Sequence, residues 1–140
     1  MGIKRDAADT AFSDCVRERS DWTCEDCGKQ FNFDDRGSLQ CAHIYGRRIK
    51  IIRHDPLNAF AFCFSCHQKH TEQPLAFSAF VERTLGPGAA QILIEKQRGT
   101  IKYNNAFVKE CAAHYRSELK IMRAKRDGGQ RGRIEFTGFI

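Results

Sequence analysis

Apolar positions along the chain mark out most of its elements. Ala8, Ala11, Phe12, Cys15 and Val16 recur at helical steps, which predicts a helix over 7–20 with Arg17, Glu18 and Arg19 on its other side. Leu39, Cys41 and His43 alternate within 38–45, the period of a strand. Pro56 cannot continue a ladder and closes the following basic loop, so a second short strand is predicted over 58–62. A helix begins near Ser65. Another runs from Pro74 to Leu85, with Phe77, Phe80 and Val81 apolar, and Gly86-Pro87-Gly88 ends it. A short helix over 89–96 stops before Gly99. Asn104 or Asn105 caps a long helix to about Arg126, striped by Phe107, Val108, Cys111, Ala112, Tyr115, Leu119 and Met122.

Between these elements lie a Cys-bearing turn over 23–29 and a polar loop over 31–37 containing Asp34-Asp35-Arg36-Gly37. The Gly- and Arg-rich stretch from Asp127 to Arg133 reads as a flexible linker, and 134–140 as a terminal strand or disordered tail. The pattern is α+β in one domain over 1–126: a core at about 21–72, a helical extension over 73–126, and a tail over 127–140.

Composition narrows the class. A chain of 140 residues has room for one domain. Its longest apolar stretch, about Ala59 to Phe64, is far short of the roughly 18–20 residues that span a bilayer, so no membrane partner is expected. Met1-Gly2-Ile3-Lys4-Arg5-Asp6 has no apolar segment of the kind a signal peptide needs, so a cytoplasmic location is expected. Seven cysteines suit a reduced compartment and a metal better than a fully paired disulfide scaffold. Lys and Arg exceed Asp and Glu by 23 to 17, a net charge of +6 that points toward nucleic acid.

Four of the cysteines carry a stronger signal. Cys24-Glu25-Asp26-Cys27 and Cys63-Phe64-Ser65-Cys66 are two C-x-x-C turns, and Gly28 frees the backbone behind the first. Two residues between thiolates let both reach one ion, and four thiolates complete a closed tetrahedral zinc site. A redox C-x-x-C is the competing reading, but it needs a different βαβ setting. Cys15, Cys41 and Cys111 fall on apolar faces and read as core.

The second C-x-x-C runs directly into His67-Gln68-Lys69-His70. Upstream, His43 ends one strand and Asn58 begins the other. Strand, loop, strand and helix would bring His43, Asn58 and His67 together. Such a set suits metal-assisted phosphodiester hydrolysis: a neutral imidazole takes a proton from water, an amide orients it, and a divalent ion offsets developing charge. Taken one at a time, His43 could be a structural histidine, Asn58 a turn residue and His67 a zinc ligand.

In order and spacing these residues resemble the HNH, or His-Me finger (ββα-metal), endonucleases in their zinc-braced form, and most of all phage NinG-type recombination proteins. Phe12-Ser13-Asp14-Cys15-Val16-Arg17-Glu18-Arg19, Gly46-Arg47-Arg48 and Arg53-His54-Asp55-Pro56-Leu57-Asn58 carry the likeness over roughly residues 10 to 85. The resemblance implies a small zinc-stapled ββα finger surrounded by helices. It also implies His43 as general base, Asn58 as the residue that positions it, and His67 as ligand of a catalytic Mg²⁺ or Mn²⁺, with His70 one turn on as a second ligand. It implies a bacterial or phage-infected host cell. Many members place Asp or His just before the base; Ala42 stands there in this chain.

Arg47, Arg48, Lys50 and Arg53 cluster in the loop after His43, and arginines there can clamp phosphate, Arg53 first among them. Lys120 and Arg123 on the last helix, and Arg131 and Arg133 beyond it, can add sequence-independent phosphate contacts. The expectation is a metal-dependent DNA endonuclease acting in DNA recombination, repair or processing. Cutting both strands would require a homodimer or two successive events. Two rivals remain: a non-catalytic module that binds branched or single-stranded DNA on the same scaffold, and a protein-binding zinc finger.

Overall fold

The computed structural model describes residues 3–35 and 37–140, so Arg36 of the polar loop lies outside the described residues. Helix α1 spans Ala7–Arg19 and opens on a reciprocal cap: Asp6 accepts from the Asp9 N–H while the Asp9 carboxylate accepts from the Asp6 N–H. Strand β1 is Leu39–His43 and β2 is Ala59–Cys63; they pair antiparallel, with Cys41 opposite Ala61 and His43 opposite Ala59. Helix α2, Phe64–Glu72, leaves β2 without a loop. Helices α3 (Pro74–Leu85), α4 (Ala89–Lys96) and α5 (Asn105–Asp127) follow, α5 capped by the Asn104 side chain. The described residues therefore form an α+β chain with five α-helices and one two-stranded sheet. None of these helices is long and apolar enough to cross a membrane.

Two apolar layers meet at the sheet. Phe80 meets the stacked rings of Phe60 and Phe62 edge to face on the α2–α3 side, with ring centroids 5.0 and 5.1 Å apart for the two Phe80 pairs. Phe12 packs against Tyr115 of α5 on the other side, and the Cys15 thiol donates to the Tyr115 carbonyl. Cys15 and Cys111 are core, as expected, whereas Cys41 is only half-buried.

The polar side expected for α1 is not solvent-facing. Arg17, Glu18 and Arg19 are all buried. A two-stranded sheet leaves carbonyls without ladder partners, and a buried carbonyl needs a donor. Arg17 Nε donates to Leu39 O at 2.6 Å, and Arg19 donates to Pro56 O and Ala59 O at 2.7 and 2.5 Å. Glu18 accepts from the Trp22 indole. These side chains fix α1 against both strands.

The tail is likewise tied to the core, through Ile134 and Phe136, although 127–133 are exposed. Gly129 and Gly132 take φ of +99° and +80°, conformations open to glycine, and turn the chain back along α1. Ile134 and Phe136 then point inward and are buried, Phe136 against Phe12 and Tyr115. Among the described residues the segment pairs in no ladder. Instead the Ile134 N–H bonds Arg19 O and the Phe139 N–H bonds the Tyr115 hydroxyl.

Candidate functional site

The first C-x-x-C folds into a tight turn: the Cys24 N–H bonds Lys29 O, the Gly28 N–H bonds Cys24 O, and Gly28 takes φ +80°. The second straddles the junction of β2 and α2, with Cys63 at the helix N-cap and Cys66 in its first turn. Ligand atoms of Cys24, Cys27, Cys63 and Cys66 all lie within 4.8 Å of one another, and Cys27 Sγ is 3.8 Å from Cys63 Sγ. Zinc–sulfur bonds of about 2.3 Å in a tetrahedron place sulfurs about 3.8 Å apart, so the cluster fits a structural zinc ion. All seven cysteines are free thiols. Burial and the neighbouring thiols push the Cys66 thiol well up, which a bound cation would reverse.

The two residues inside the first C-x-x-C anchor it. The Glu25 N–H bonds Ala61 O at 2.8 Å, and its carboxylate accepts from the Ala61 N–H at 2.7 Å. Asp26 accepts from Lys69 and from His70 Nε2 at 2.6 and 2.8 Å. His70 Nε2 is therefore taken up by Asp26, while its buried Nδ1 has no hydrogen-bond partner among the described residues. It is buried, stacked on Phe62 with centroids 4.9 Å apart, and its polar contact runs to the zinc turn. Its position one helical turn after His67 is legible in the sequence; the pull of Asp26 is not.

His43 and His67 come together at the rim shared by two depressions. His43 Nε2 lies 2.9 Å from Arg53 O. A carbonyl only accepts, so Nε2 carries the proton and Nδ1 keeps a free lone pair. Burial pulls the His43 pKa down to about 4, against the Arg53 carbonyl, which favours the charged ring. His67 is the mirror case: its Nδ1 donates to Gln40 Oε1 at 2.7 Å, leaving Nε2 as the available lone pair. Burial and the adjacent His70 also lower its pKa.

Asn58 lies in a short 3₁₀ turn before β2 and is fully buried. Its amide hydrogen bonds run to the loop rather than to His43. Its Oδ1 accepts from the Tyr45 N–H at 2.8 Å, while Nδ2 donates to Tyr45 O and Ile52 O at 2.9 and 3.0 Å. It thus pins both ends of the loop that presents Arg53 O to His43.

Arg53, expected to grip phosphate, is buried at 3% exposure. Its guanidinium bonds both Asp9 carboxylate oxygens, Nε at 2.9 Å, and lies 5.0 Å from the Tyr103 ring centroid. Burial pushes the Asp9 carboxyl up, but hydrogen bonds from His54 and Arg53 outweigh it and hold that carboxyl well below the usual range. Asp6, Asp9 and His54 lie close enough for a metal, yet Arg53 already supplies the cation there.

The cations that do reach the site come partly from elsewhere. A hollow of about 460 Å³ beside His43 and His67 is lined by Arg5, Arg17, Arg47, Ser13 and Gln40. Arg5 donates to the Ser13 hydroxyl at 2.9 Å; Arg47 donates to Ile3 O at 2.6 Å and lies 3.5 Å from Asp9. Arg48 and Lys50 are exposed on the loop. The C-terminal cations sit apart: Arg123, over the Phe33 ring at 4.1 Å, and Arg131 line a depression that shares no residue with the histidine site. Lys120 is exposed on α5, and Arg133 is paired with Glu25 and Glu135. Spacing along the chain carries no hint of Arg5, Ser13 or Gln40, because long-range folding alone brings α1 and the N-terminal segment to β1.

Ala42 is buried at 2% exposure and offers no ligand. Among the described residues, His67 belongs to no group of three metal-ligating side chains. No family model, no curated protein and no solved structure matches this chain.

Proposed function

We propose that the protein is a metal-dependent DNA endonuclease of the HNH, or His-Me finger, type, with β1, β2 and α2 as its zinc-stapled ββα finger. The observation that carries this reading is the complementary pair of histidines. His43 offers Nδ1 and His67 offers Nε2, each fixed by a hydrogen bond at its other nitrogen. A neutral base and a neutral ligand lining the same hollow suit hydrolysis of a phosphodiester. His43 Nδ1 takes the proton of the attacking water. Asn58 holds the loop whose Arg53 carbonyl aims the ring. Arg5 and Arg47 hold the phosphate backbone from the adjoining hollow. A Mg²⁺ or Mn²⁺ ion on His67 Nε2, completed by water and phosphate oxygens, would offset the charge that builds on the phosphate and leaving oxygen.

The test is nicking of supercoiled plasmid with Mg²⁺ or Mn²⁺. His43→Ala should abolish it with zinc content and melting behaviour retained; full activity in that variant would refute the mechanism. Ala42 favours a second reading, a DNA-binding module that does not cut. It predicts salt-sensitive binding to DNA with no cleavage under any metal. Sedimentation with and without DNA distinguishes a homodimer from two successive cuts.

A further inference from the structure

The two depressions that meet at His43 and His67 differ in character. The hollow sets the guanidiniums of Arg5, Arg17 and Arg47 against the single Asp9 carboxylate, so its lining is cationic on balance. The other is a cleft of about 690 Å³ between the sheet and α3–α4, whose apolar wall is Tyr45, Phe62, Phe77, Val81 and Pro87, with His70, Thr71 and Ser78 beside it. Among the described residues that line it there is no Lys or Arg, and one of them is Glu82. A backbone phosphate is suited to the first and disfavoured in the second. In a stacked duplex, phosphates lie on both sides of any scissile bond and the bases face inward. Such a duplex would present the apolar cleft with another phosphate. A base that has left the stack presents a flat, uncharged aromatic face instead, and aromatic side chains receive it well.

We propose that this site takes DNA with an unpaired nucleotide beside the attacked bond, the phosphate in the cationic hollow and the unstacked base in the apolar cleft. The inference rests on the DNA reading above but not on catalysis. The cleft walls are preformed. Tyr45 is held through its backbone by Asn58, and Phe77 packs against Phe60 and Phe62 at 6.4 and 6.1 Å. Tyr45 and Phe77 are each only half-buried and keep ring surface open to a ligand. Extracting a base from a duplex costs its pairing and stacking, and least where the base is already unpaired. The site therefore selects single strands, flaps and branch points over continuous duplex.

The test measures binding by fluorescence anisotropy without added Mg²⁺ or Mn²⁺. The probes are a short single strand, a flapped duplex, and a perfect duplex of the same sequence. In parallel strands, an abasic residue replaces each nucleotide in turn. One abasic position should weaken binding about tenfold, as loss of a base–aromatic stack does. Ser78→Trp, on the exposed face of α3, should fill the cleft. It should weaken the single strand and flap to a similar degree, remove the abasic effect, and leave duplex binding unchanged. Ala90→Trp fills the cleft from α4 and serves if the first variant folds poorly. Equal affinity for all three DNAs, or an abasic effect that persists in both filled variants, would overturn the proposal while leaving the nuclease reading intact. An abasic effect lost in the filled variants, with no cleavage of any DNA, would support the pocket and sink the nuclease. Absence of any salt-sensitive DNA binding would sink both.

Discussion

Replacing Asn58 by alanine tests the central arrangement. Three hydrogen bonds vanish: from Tyr45 N–H to Oδ1, and from Nδ2 to Tyr45 O and Ile52 O. Ile52 is fully buried, so water cannot replace the lost donor at its carbonyl. Tyr45 is half-buried, and water can partly satisfy its two groups. An orphaned buried polar group costs about 1–3 kcal/mol, so the sum is about 3–5 kcal/mol. That is a large share of the roughly 5–15 kcal/mol that holds an ordinary domain together. With a urea slope of about 1–3 kcal/mol per M, the unfolding midpoint should fall by roughly 2 M. Zinc content should stay the same, because none of the three bonds touches the cysteines. Cleavage measured well below the new midpoint should also drop, since the loop no longer holds Arg53 O against His43. A stability loss under about 1 kcal/mol, or unchanged cleavage in a folded variant, would refute the role assigned to Asn58.

Other perturbations separate the remaining parts. Metal bound by Cys24, Cys27, Cys63 and Cys66 should be essential: chelation should abolish the cooperative melt, since structural zinc contributes about 10–16 kcal/mol in small domains. An unchanged melt in metal-free protein, verified by elemental analysis, would count against the staple. His43 is held neutral in the folded chain, with a pKa lowered to about 4 chiefly by burial, while an unfolded imidazole titrates near about 6.5. Its contribution to stability is fully present above about 6.5 and is lost as pH falls toward about 4, where only the unfolded chain has gained the proton. Urea midpoints across that range should fall more steeply in the native protein than in His43→Leu. Arg53→Ala should cost about 3–5 kcal/mol by leaving the buried Asp9 carboxylate without its two-pronged partner, read as a lowered urea midpoint. Arg5→Ala should leave folding intact and reduce the slope of log affinity for DNA against log salt by about 1.

Local patterns are legible in the amino-acid order alone. The helices α3 and α4 follow directly from the spacing of Phe77, Phe80 and Val81 and from the breakers at Gly86–Gly88 and Gly99. Asn104 caps α5 as a short polar side chain before an apolar stripe should. The paired C-x-x-C turns announce their cluster because two residues of separation set the thiol geometry within each half. In each case the cause lies within a few residues of the effect. The strands are legible to within a residue or two of their ends, with His43 closing β1 as expected.

What the tertiary structure decided concerns charge and long-range partners. A sequence pattern places Arg17 and Arg19 on the polar side of a helix and Arg53 in a basic loop, because hydropathy treats a guanidinium as solvent-seeking. In the fold, the carbonyls of β1 and β2 and the Asp9 carboxylate need donors where water cannot reach, and these three side chains supply them. The same accounting buries Arg53 against Asp9 and sets Arg5, far away in the chain, beside His43 and His67. It assigns His70 to Asp26 and the zinc turn, and it draws the tail inward through Ile134 and Phe136 to finish the surface between α1 and α5. Periodicity reports which side of an element is apolar. Which buried polar atoms face one another depends on how the elements meet, and only the assembled chain decides that.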